Sequence, residues 1–153
     1  MNYWLFKSEP DEFSIDDLKS STTTPWEGVR NYQARNFMRD ECKKGDLILF
    51  YHSSCKNIGV AGVATVSKEA FPDKAQFDEN SPYYDPKSSE EKPRWFCCEV
   101  KFKSKFNKVV PLKDIKENAK LKDMHLVKKG SRLSIQPVKK DEFEEVLNMS
   151  RTI

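Results

Sequence analysis

The clearest pattern in this chain is an alternation of apolar and charged side chains between Trp95 and Phe106. The apolar members are Phe96, Cys98, Val100 and Phe102, and the charged members are Glu99, Lys101, Lys103 and Lys105. A period of two residues is that of an extended strand, whose successive side chains point to opposite faces. The segment therefore predicts a half-exposed β-strand with a cationic outer face.

The remaining apolar runs are short and predict a chain of mixed structure. Further strands are predicted at residues 2–7, 47–52, 59–68 and 132–136, the last one stopped by Pro137. Helices are predicted after the N-caps Ser14 and Asn31, the second reaching about residue 39, and at 112–118, 121–127 and 141–149. Residues 20–25 and 72–93 predict polar or proline-rich loops, and a loop as long as the second is usually functional or disordered. The predicted fold class is α+β: one domain over residues 1–153, with a mixed, mostly antiparallel curled β-sheet or small barrel and peripheral helices.

Composition narrows the class of protein. The mean hydropathy of −0.76 indicates a soluble chain, and no apolar run approaches the roughly 18 residues of a membrane span. The first residues have neither the basic segment nor the apolar stretch of a signal peptide. The four cysteines include no Cys-x-x-Cys pair, which argues against a zinc site of the usual spacing. We therefore expect a cytoplasmic protein, nuclear if the source is eukaryotic, that binds no membrane, metal or other cofactor.

The charge distribution leaves two interpretations open. The net charge is +3 and the isoelectric point about 8.6, below the roughly 9 that would by itself indicate a nucleic-acid partner. Basic residues gather at 101–108 and 128–132, and acidic residues at 9–17, 78–91 and 141–145. One basic face for nucleic acid and an ordinary solvated surface are both compatible with this arrangement.

Polar and aromatic residues gather in five short clusters beside the apolar runs, at residues 7–10, 26–35, 50–54, 93–96 and 129–134. Recognition of a nucleobase requires flat rings for stacking, fixed donors and acceptors for the base edge, and cations for phosphates. Trp26 and Tyr51 are the candidates for stacking. Candidates for contacts to the base edge are Asn31, Ser8 and His52, and candidates for phosphate contacts are Arg30, Arg35, Lys129 and Arg132.

Each candidate also has a purely structural interpretation. Trp26 precedes a glycine and fits a core or lid position as well as a stacking platform. Trp95 begins a strand, where burial in the core and a place in a site wall are equally compatible with the sequence. His52, at the end of a strand, fits a structural histidine. Arg30 and Arg35 have acidic neighbours in the sequence with which they could pair.

An enzyme is the less supported alternative. His52 lies beside Ser53 and close to Cys55, but neighbouring strand residues face opposite ways, so His52 is poorly placed to activate Ser53. The sequence has no Gly-x-Ser-x-Gly elbow, no histidine pattern of metal hydrolases and no glycine-rich phosphate loop. We therefore predict a binding function without catalytic residues.

Several of these clusters, taken in order along the chain, identify it as a member of the EVE family. The matching segments are residues 3–10, 26–36, 45–53, 81–87, 93–96 and 133–138. The resemblance covers almost the whole chain and implies a PUA-like fold, related to the YTH and ASCH domains.

The EVE family is similar to proteins that hold a flipped, modified base, such as 5-methylcytosine or an oxidised form of it, in an aromatic-lined pocket. The resemblance implies a non-enzymatic, DNA-binding reader of modified bases, which we expect to be a monomer; an RNA-binding module or reader of RNA modifications is the alternative. Carried over by motif, the pocket comprises Lys7, Ser8, Trp26, Arg30, Asn31, Tyr51, His52 and Ser53, with Trp95, Ser131, Arg132 and Ser134 as further members. Arg35 and Lys129 are the expected phosphate contacts.

Overall fold

The computed structural model describes residues 1–130 and 132–152, and within them six strands and four α-helices are present. The strands are β1 (Tyr3–Ser8), β2 (Thr23–Pro25), β3 (Leu47–His52), β4 (Gly59–Pro72), β5 (Phe96–Pro111) and β6 (Ile135–Val138). The helices are α1 (Ile15–Ser21), α2 (Tyr32–Asn36), α3 (Leu112–Glu117) and α4 (Lys140–Thr152). A π-helical segment at Phe37–Glu41 continues α2, and 3₁₀ turns occupy Lys74–Phe77, Ala119–Leu121 and His125–Val127. None of the described helices has the length and apolar character needed to cross a bilayer.

All six strands form one sheet in the order β2-β5-β4-β3-β1-β6. β1 and β3 run parallel, and every other neighbouring pair is antiparallel. The predicted caps are in place, since the Ser14 hydroxyl accepts the N–H of Asp17 and the Asn31 side chain accepts that of Ala34. The predicted α+β class, with a mostly antiparallel sheet and peripheral helices, is confirmed.

The two longest strands, β4 and β5, pair with several shifts of register, and such irregularities bend a sheet. Near its middle β5 has one extra residue, Lys103, relative to β4. Lys101 and Lys105 therefore do not share a face, because their partners in β4 lie three residues apart. Lys105 reaches α1 and forms an ion pair with Asp16 at 2.8 Å. The prediction of a single cationic face along β5 is thus wrong.

Two local predictions are also corrected. The predicted loop at residues 20–25 contains β2, because its polar residues pair with residues 99–101 of β5. Pro137, which was expected to stop a strand, lies inside β6. β6 pairs with β1 alone, and an edge strand tolerates a residue that has no N–H to donate.

Side chains pack in two layers on the opposite faces of the sheet. One layer contains Trp4, Trp26 and Phe50 together with residues of α1 and α2, and we call this side the tryptophan face. The other contains Leu5 and Tyr51 together with residues of α3 and α4, and we call it the α4 face. Because the sheet lies between them, a side chain on one face cannot contribute to a site on the other.

A buried carboxylate, Asp46, ties the start of β1 to the start of β3. Its side chain accepts hydrogen bonds from the N–H groups of Asn2 and Lys43 and from the indole N–H of Trp4, at 2.8 to 3.0 Å. Parallel strands have no hairpin to set their register. The bonds from Asn2 and Trp4 to Asp46 support that register for β1 against β3, and the bond from Lys43 holds the turn before β3.

We expect Asp46→Ala to lower the free energy of unfolding by about 3 kcal/mol or more, since it leaves three donors without an acceptor. Urea unfolding followed by tryptophan fluorescence measures this loss. Asp40→Ala is the matched control, because Asp40 is an exposed carboxylate paired with Arg39, and it should leave the unfolding midpoint nearly unchanged. Equal midpoints for the two variants would contradict the role of Asp46.

Candidate functional site

A small cleft opens on the tryptophan face, where the end of β1, the segment before α1 and β2 meet. Its volume is about 190 Å³. Its walls are formed by Ser8, Phe13, Thr24, Pro25, Trp26 and Glu27. We call it the Trp26 cleft. Two aromatic rings, two hydroxyl groups and one carboxyl group therefore line an open cleft.

Trp26 forms a fixed wall of this cleft. The rings of Phe6 and Phe50 have their centres 5.4 and 5.5 Å from that of the indole, and Phe13 meets it edge-on at 6.4 Å. The backbone N–H of Trp26 donates to the carbonyl of Cys98 in β5. Only 8% of Trp26 is exposed, so a small part of the indole reaches the cleft and the rest belongs to the core.

The segment that follows Trp26 is held by a buried carboxylate on a distant part of the chain. Asp73 accepts hydrogen bonds from the backbone N–H of Gly28 at 2.9 Å, from the guanidinium of Arg30 at 3.0 Å and from the N–H of Ala75 at 2.8 Å. One side chain thereby joins the cleft segment to the turn after β4. The position of Trp26 depends on this junction, since the intervening residues are few.

The long loop after β4 packs over the same segment through Tyr83. Gly28 has a φ of +89°, and a β-carbon at this position would stand 2.7 Å from the Tyr83 ring, so only glycine fits. The guanidinium of Arg30 donates two hydrogen bonds, of 3.2 and 2.8 Å, to the carbonyl of Tyr83. This loop is therefore part of the framework that surrounds the cleft.

Glu27 is the carboxyl group of the Trp26 cleft. Burial raises the pKa of Glu27, the carboxylate of Asp73 raises it further, and Lys74 and Arg30 act in the opposite direction. A partly buried carboxyl group has lost hydration that hydrogen bonds from a ligand can replace. Glu27 is thus the group in the cleft best suited to accept from the N–H groups of a bound molecule.

Ser8 and His52 lie side by side at the ends of β1 and β3, on the tryptophan face. The Ser8 hydroxyl donates to the carbonyl of Phe13, and the Ser8 carbonyl accepts from the N–H of Ser53. Nε2 of His52 accepts from the N–H of Ile15 at 3.1 Å, so the neutral imidazole carries its proton on Nδ1. Both side chains hold the segment that leads into α1, and Ser8 also lines the cleft.

Lys7 and Tyr51 lie on the α4 face, across the sheet from Trp26. The ammonium of Lys7 stands 5.7 Å from the centre of the Tyr51 ring. Burial lowers the pKa of Lys7 and raises the pKa of Tyr51 to about 12. The structure therefore does not bring these two residues of the predicted pocket to the cleft.

Arg30, Arg35 and Trp95 form a separate stack together with Tyr32. The rings of Tyr32 and Trp95 are 4.8 Å apart and 18° from parallel. The guanidinium of Arg30 lies 5.2 Å from the centre of the Trp95 ring, and that of Arg35 lies 4.7 Å from the centre of the Tyr32 ring. Trp95 is buried, whereas Tyr32 is exposed, and Arg35 also donates to the carbonyl of Arg94. The stack presents Tyr32 and Arg35 at the surface.

The remaining predicted site residues have other placements. The side-chain oxygen of Asn31 accepts a backbone N–H in the first turn of α2 and is used there as a cap. Lys129 and Arg132 are exposed. The carbonyl of Ser134 accepts the N–H of Lys7 in β1. Ser131 lies outside the described residues.

Five residues of the site and its support are absent from the sequence prediction, and one of them is Pro25 in the cleft wall. Phe13, Thr24 and Glu27 line the Trp26 cleft, and Asp73 holds it. Glu27 had a usable signal, because it adjoins Trp26 in the same cluster. Asp73 had no such signal in the sequence, since it precedes a polar loop and lies far from Gly28.

The groups that line the cleft are aromatic rings, hydroxyl groups and one carboxyl group. Within residues 1–130 and 132–152, no group of three or more His, Cys, Asp or Glu side chains is arranged to hold a metal ion. Nε2 of His52 is engaged by the backbone of α1, which removes it as a base for a neighbouring hydroxyl or thiol. Burial raises the pKa of Cys97, and contact with Cys98 together with burial raises that of Cys42, so these thiols stay protonated.

The chain matches the model of the EVE domain over residues 2–149. It is 43% identical to human thymocyte nuclear protein 1 over 167 aligned residues, which cover 97% of this chain and 73% of the relative. The fold and these matches define its class: the protein belongs to the EVE domain family, as its motifs predict.

Solved structures with the same architecture include two close relatives. A protein from Pseudomonas syringae superposes with a TM-score of 0.94 at 44% identity, covering 97% of this chain and 99% of the other. The human THYN1 protein, crystallised in complex with DNA containing 5-methylcytosine, superposes with a TM-score of 0.93 at 42% identity, covering 100% and 99% of the two chains.

We expect Asp73→Asn to destabilise the protein by about 2 kcal/mol, because an amide cannot accept from three donors and brings its own N–H groups toward them. The shift of the urea midpoint measures this effect. Asp78→Asn is the matched control, since Asp78 is an exposed carboxylate of the same loop. Indistinguishable midpoints for the two variants would show that Asp73 does not hold the cleft segment.

We expect stability to fall as the pH decreases below about 6.5, the ordinary pKa of histidine. Burial lowers the pKa of His52, with Asp16 opposing and Lys105 adding to the shift, and burial lowers that of His125 as well. Such a histidine takes up its proton more readily in the unfolded chain, so protonation favours unfolding between the ordinary and the lowered pKa.

Urea midpoints at pH 7.5, 6.5 and 5.5 measure this dependence. His52→Gln should reduce the pH dependence of the urea midpoint in part, and His125→Gln, as the comparison variant, should remove a further part of it. A double variant with the full slope of the wild type would assign the effect to other groups.

Proposed function

We propose that this protein is a non-enzymatic, DNA-binding reader that holds a flipped, modified base, such as 5-methylcytosine or an oxidised form of it, in the Trp26 cleft. The observation that carries the proposal is the cleft itself, which places Trp26 and Glu27 on a rigid support. Membership of the EVE domain family supports the same function, because the human relative was crystallised with DNA containing 5-methylcytosine.

The size of the cleft favours a single heterocycle. Its volume of about 190 Å³ corresponds to about six molecules of liquid water, at about 30 Å³ each. Pockets for drug-sized ligands typically measure about 300–1,000 Å³. A nucleoside with its phosphates would exceed the cleft, whereas one base turned out of the helix fits the available space.

The lining suits a cytosine derivative. Carboxylates accept from the N4 amino group of cytosine, and Glu27, which lines the cleft, is the proposed acceptor. Aromatic and aliphatic walls contact the ring and a methyl group at its C5 position. Stacking against one accessible aromatic residue contributes about 1–3 kcal/mol, comparable to the few kcal/mol that base flipping costs. Only 8% of Trp26 is exposed, so the cleft returns a part of this energy. A methyl group contributes about 0.8 kcal/mol when buried, so selectivity arises from shape and remains modest.

The proposed pocket differs from the one carried over by motif. Ser8, Trp26, Glu27, Phe13 and Thr24 form its walls, while the side chains of Arg30, Asn31 and His52 support the segments that carry them. Phosphate contacts by Arg35, Lys129 and Arg132 remain a prediction. We further propose that residues 1–153 act as one EVE unit. We also propose that the protein is cytoplasmic or, in a eukaryotic source, nuclear, which the name of the human relative supports.

We expect Glu27→Leu to weaken binding of a duplex with a central 5-methylcytosine by about 10- to 100-fold, since it removes a charged hydrogen-bond acceptor at similar volume. Glu27→Gln keeps one acceptor oxygen and should lose less. Fluorescence anisotropy with labelled oligonucleotides measures both. Glu12→Leu, an exposed acidic residue outside the cleft, is the matched control and should bind like the wild type.

The same titrations test the function itself, with oligonucleotides that differ only in the central base or in the sugar. Wild-type protein should prefer modified DNA over unmodified DNA and over matched RNA. An affinity independent of the modification refutes the reader, and a preference for RNA assigns the site to RNA modifications. Selective wild-type binding that survives Glu27→Leu places the base outside the Trp26 cleft.

A further inference from the structure

A second and larger cavity, of about 920 Å³, lies away from the Trp26 cleft. It is bounded by the loop between β3 and β4, by the last part of β5 and by α3. Its lining residues are Lys56, Asn57, Ile58, Asn107, Lys108, Val109, Pro111, Leu112, Lys113, Lys116 and Glu117. We call it the lysine cavity. Nothing in the proposed recognition of a base uses it.

A large bulge in β5 shapes this cavity. Val110 pairs with Val60 of β4, and Lys105 pairs with Gly62, so four residues of β5 stand opposite one residue of β4. The bulged residues leave the ladder, and Lys108 among them points into the cavity lining. Bulges of this kind re-aim side chains, and here the bulge adds a lysine to those of the neighbouring loop and helix.

The lysine cavity has unbalanced positive charge. Lys56, Lys108, Lys113 and Lys116 line it together with one acid, Glu117. None of the four ammonium groups forms an ion pair or hydrogen bond with any other described residue, so their charge is not neutralised within the described part of the chain. Like charges around one concave surface raise the local potential, which favours a polyanion. Ile58, Val109 and Leu112 add an apolar floor.

The lysine cavity and the Ser8 side of the Trp26 cleft lie at the same end of the sheet, whereas Thr24 and Pro25, on the other side of the cleft, pair with the first part of β5. Ser8, at the cleft, pairs with His52, His52 pairs with Gly59, and Gly59 pairs with Pro111, at the cavity. These are three strand spacings of about 4.8 Å, or about 14 Å in all. Consecutive nucleotides of one DNA strand rise about 3.4 Å, so this distance spans about four nucleotides.

We propose that the lysine cavity holds the sugar-phosphate backbone of the DNA strand that flanks the base in the Trp26 cleft, about four nucleotides away. This inference rests on the proposed function. Its support is the match between unpaired ammonium groups and phosphates, the apolar floor available to the sugars, and the shared end of the sheet. The cavity contributes affinity independent of sequence, and the cleft contributes the selection of the base.

The test compares Lys108→Gln/Lys113→Gln/Lys116→Gln with Lys43→Gln/Lys44→Gln/Lys140→Gln, which removes the same charge at the opposite end of the sheet, beside the starts of β1 and β3. Anisotropy titrations between 50 and 300 mM salt (roughly the range in which phosphate contacts dominate) give the slope of log K against log salt. The oligonucleotides carry a central 5-methylcytosine with flanks of either two or eight nucleotides. Inorganic tripolyphosphate serves as the probe for a small anion.

With long flanks, the cavity variant should bind at least about tenfold more weakly than the wild type, with a salt slope lower by about two to three. With short flanks it should bind like the wild type, and its preference for 5-methylcytosine over cytosine should be unchanged at both lengths. The control variant should keep most of the long-flank affinity.

Three results would overturn the inference while leaving the base reader intact. They are an unchanged slope in the cavity variant, equal losses for short and long flanks, and equal losses in the cavity and control variants. Saturable binding of tripolyphosphate that the cavity variant loses, with an unchanged DNA slope, would assign the cavity to a small phosphorylated ligand. Failure of the wild type to distinguish modified from unmodified DNA would refute the proposed function, which is a different outcome from any of these.

Discussion

The architecture of the site depends on one buried carboxylate. Asp73 follows β4 directly, and through its bonds to Gly28 and Arg30 it fixes the stretch of chain that carries Trp26 and Glu27. Burying a carboxylate is unfavourable unless its oxygens are satisfied, and Asp73 has three donors around it. Arg30 likewise joins two parts of the chain, because its guanidinium also binds the carbonyl of Tyr83 and brings the long loop onto the cleft segment. A change that breaks these bonds should therefore disturb the loop and the cleft segment together.

The sheet acts as a partition that decides which residues meet. Ser8 and Lys7 are neighbours in β1, yet one supports the cleft and the other packs on Tyr51 across the sheet. His52 shows why proximity in sequence does not define a site: its imidazole serves as the acceptor that positions the start of α1. The polar ends of β1 and β3 therefore supply a rigid border for the cleft, and only part of each cluster faces it.

Elements whose signals are local could be predicted from the sequence. The caps at Ser14 and Asn31 and the apolar run of β3 each depend on a few adjacent residues, and the structure has them where expected. Features set by long-range pairing could not be predicted in this way. β2 is polar and is a strand only because β5 lies beside it, and the extra Lys103 that reverses the faces of β5 is visible only against β4. The motif clusters located Trp26 and Ser8, but the support from Asp73 exists only in the folded chain.

The packing of Trp26 bears directly on how such a cleft could select a base. Three phenylalanines hold the indole, so the wall is already ordered without a ligand, and under the proposed function little binding energy is lost in ordering it. A rigid wall discriminates by shape, which suits a mark as small as a methyl group, but the contact area in about 190 Å³ is limited. The energy for turning a base out of the helix must then come largely from elsewhere along the strand. The proposed function therefore favours separate surfaces for affinity and for selectivity, and the unpaired lysines of the lysine cavity suit the first task.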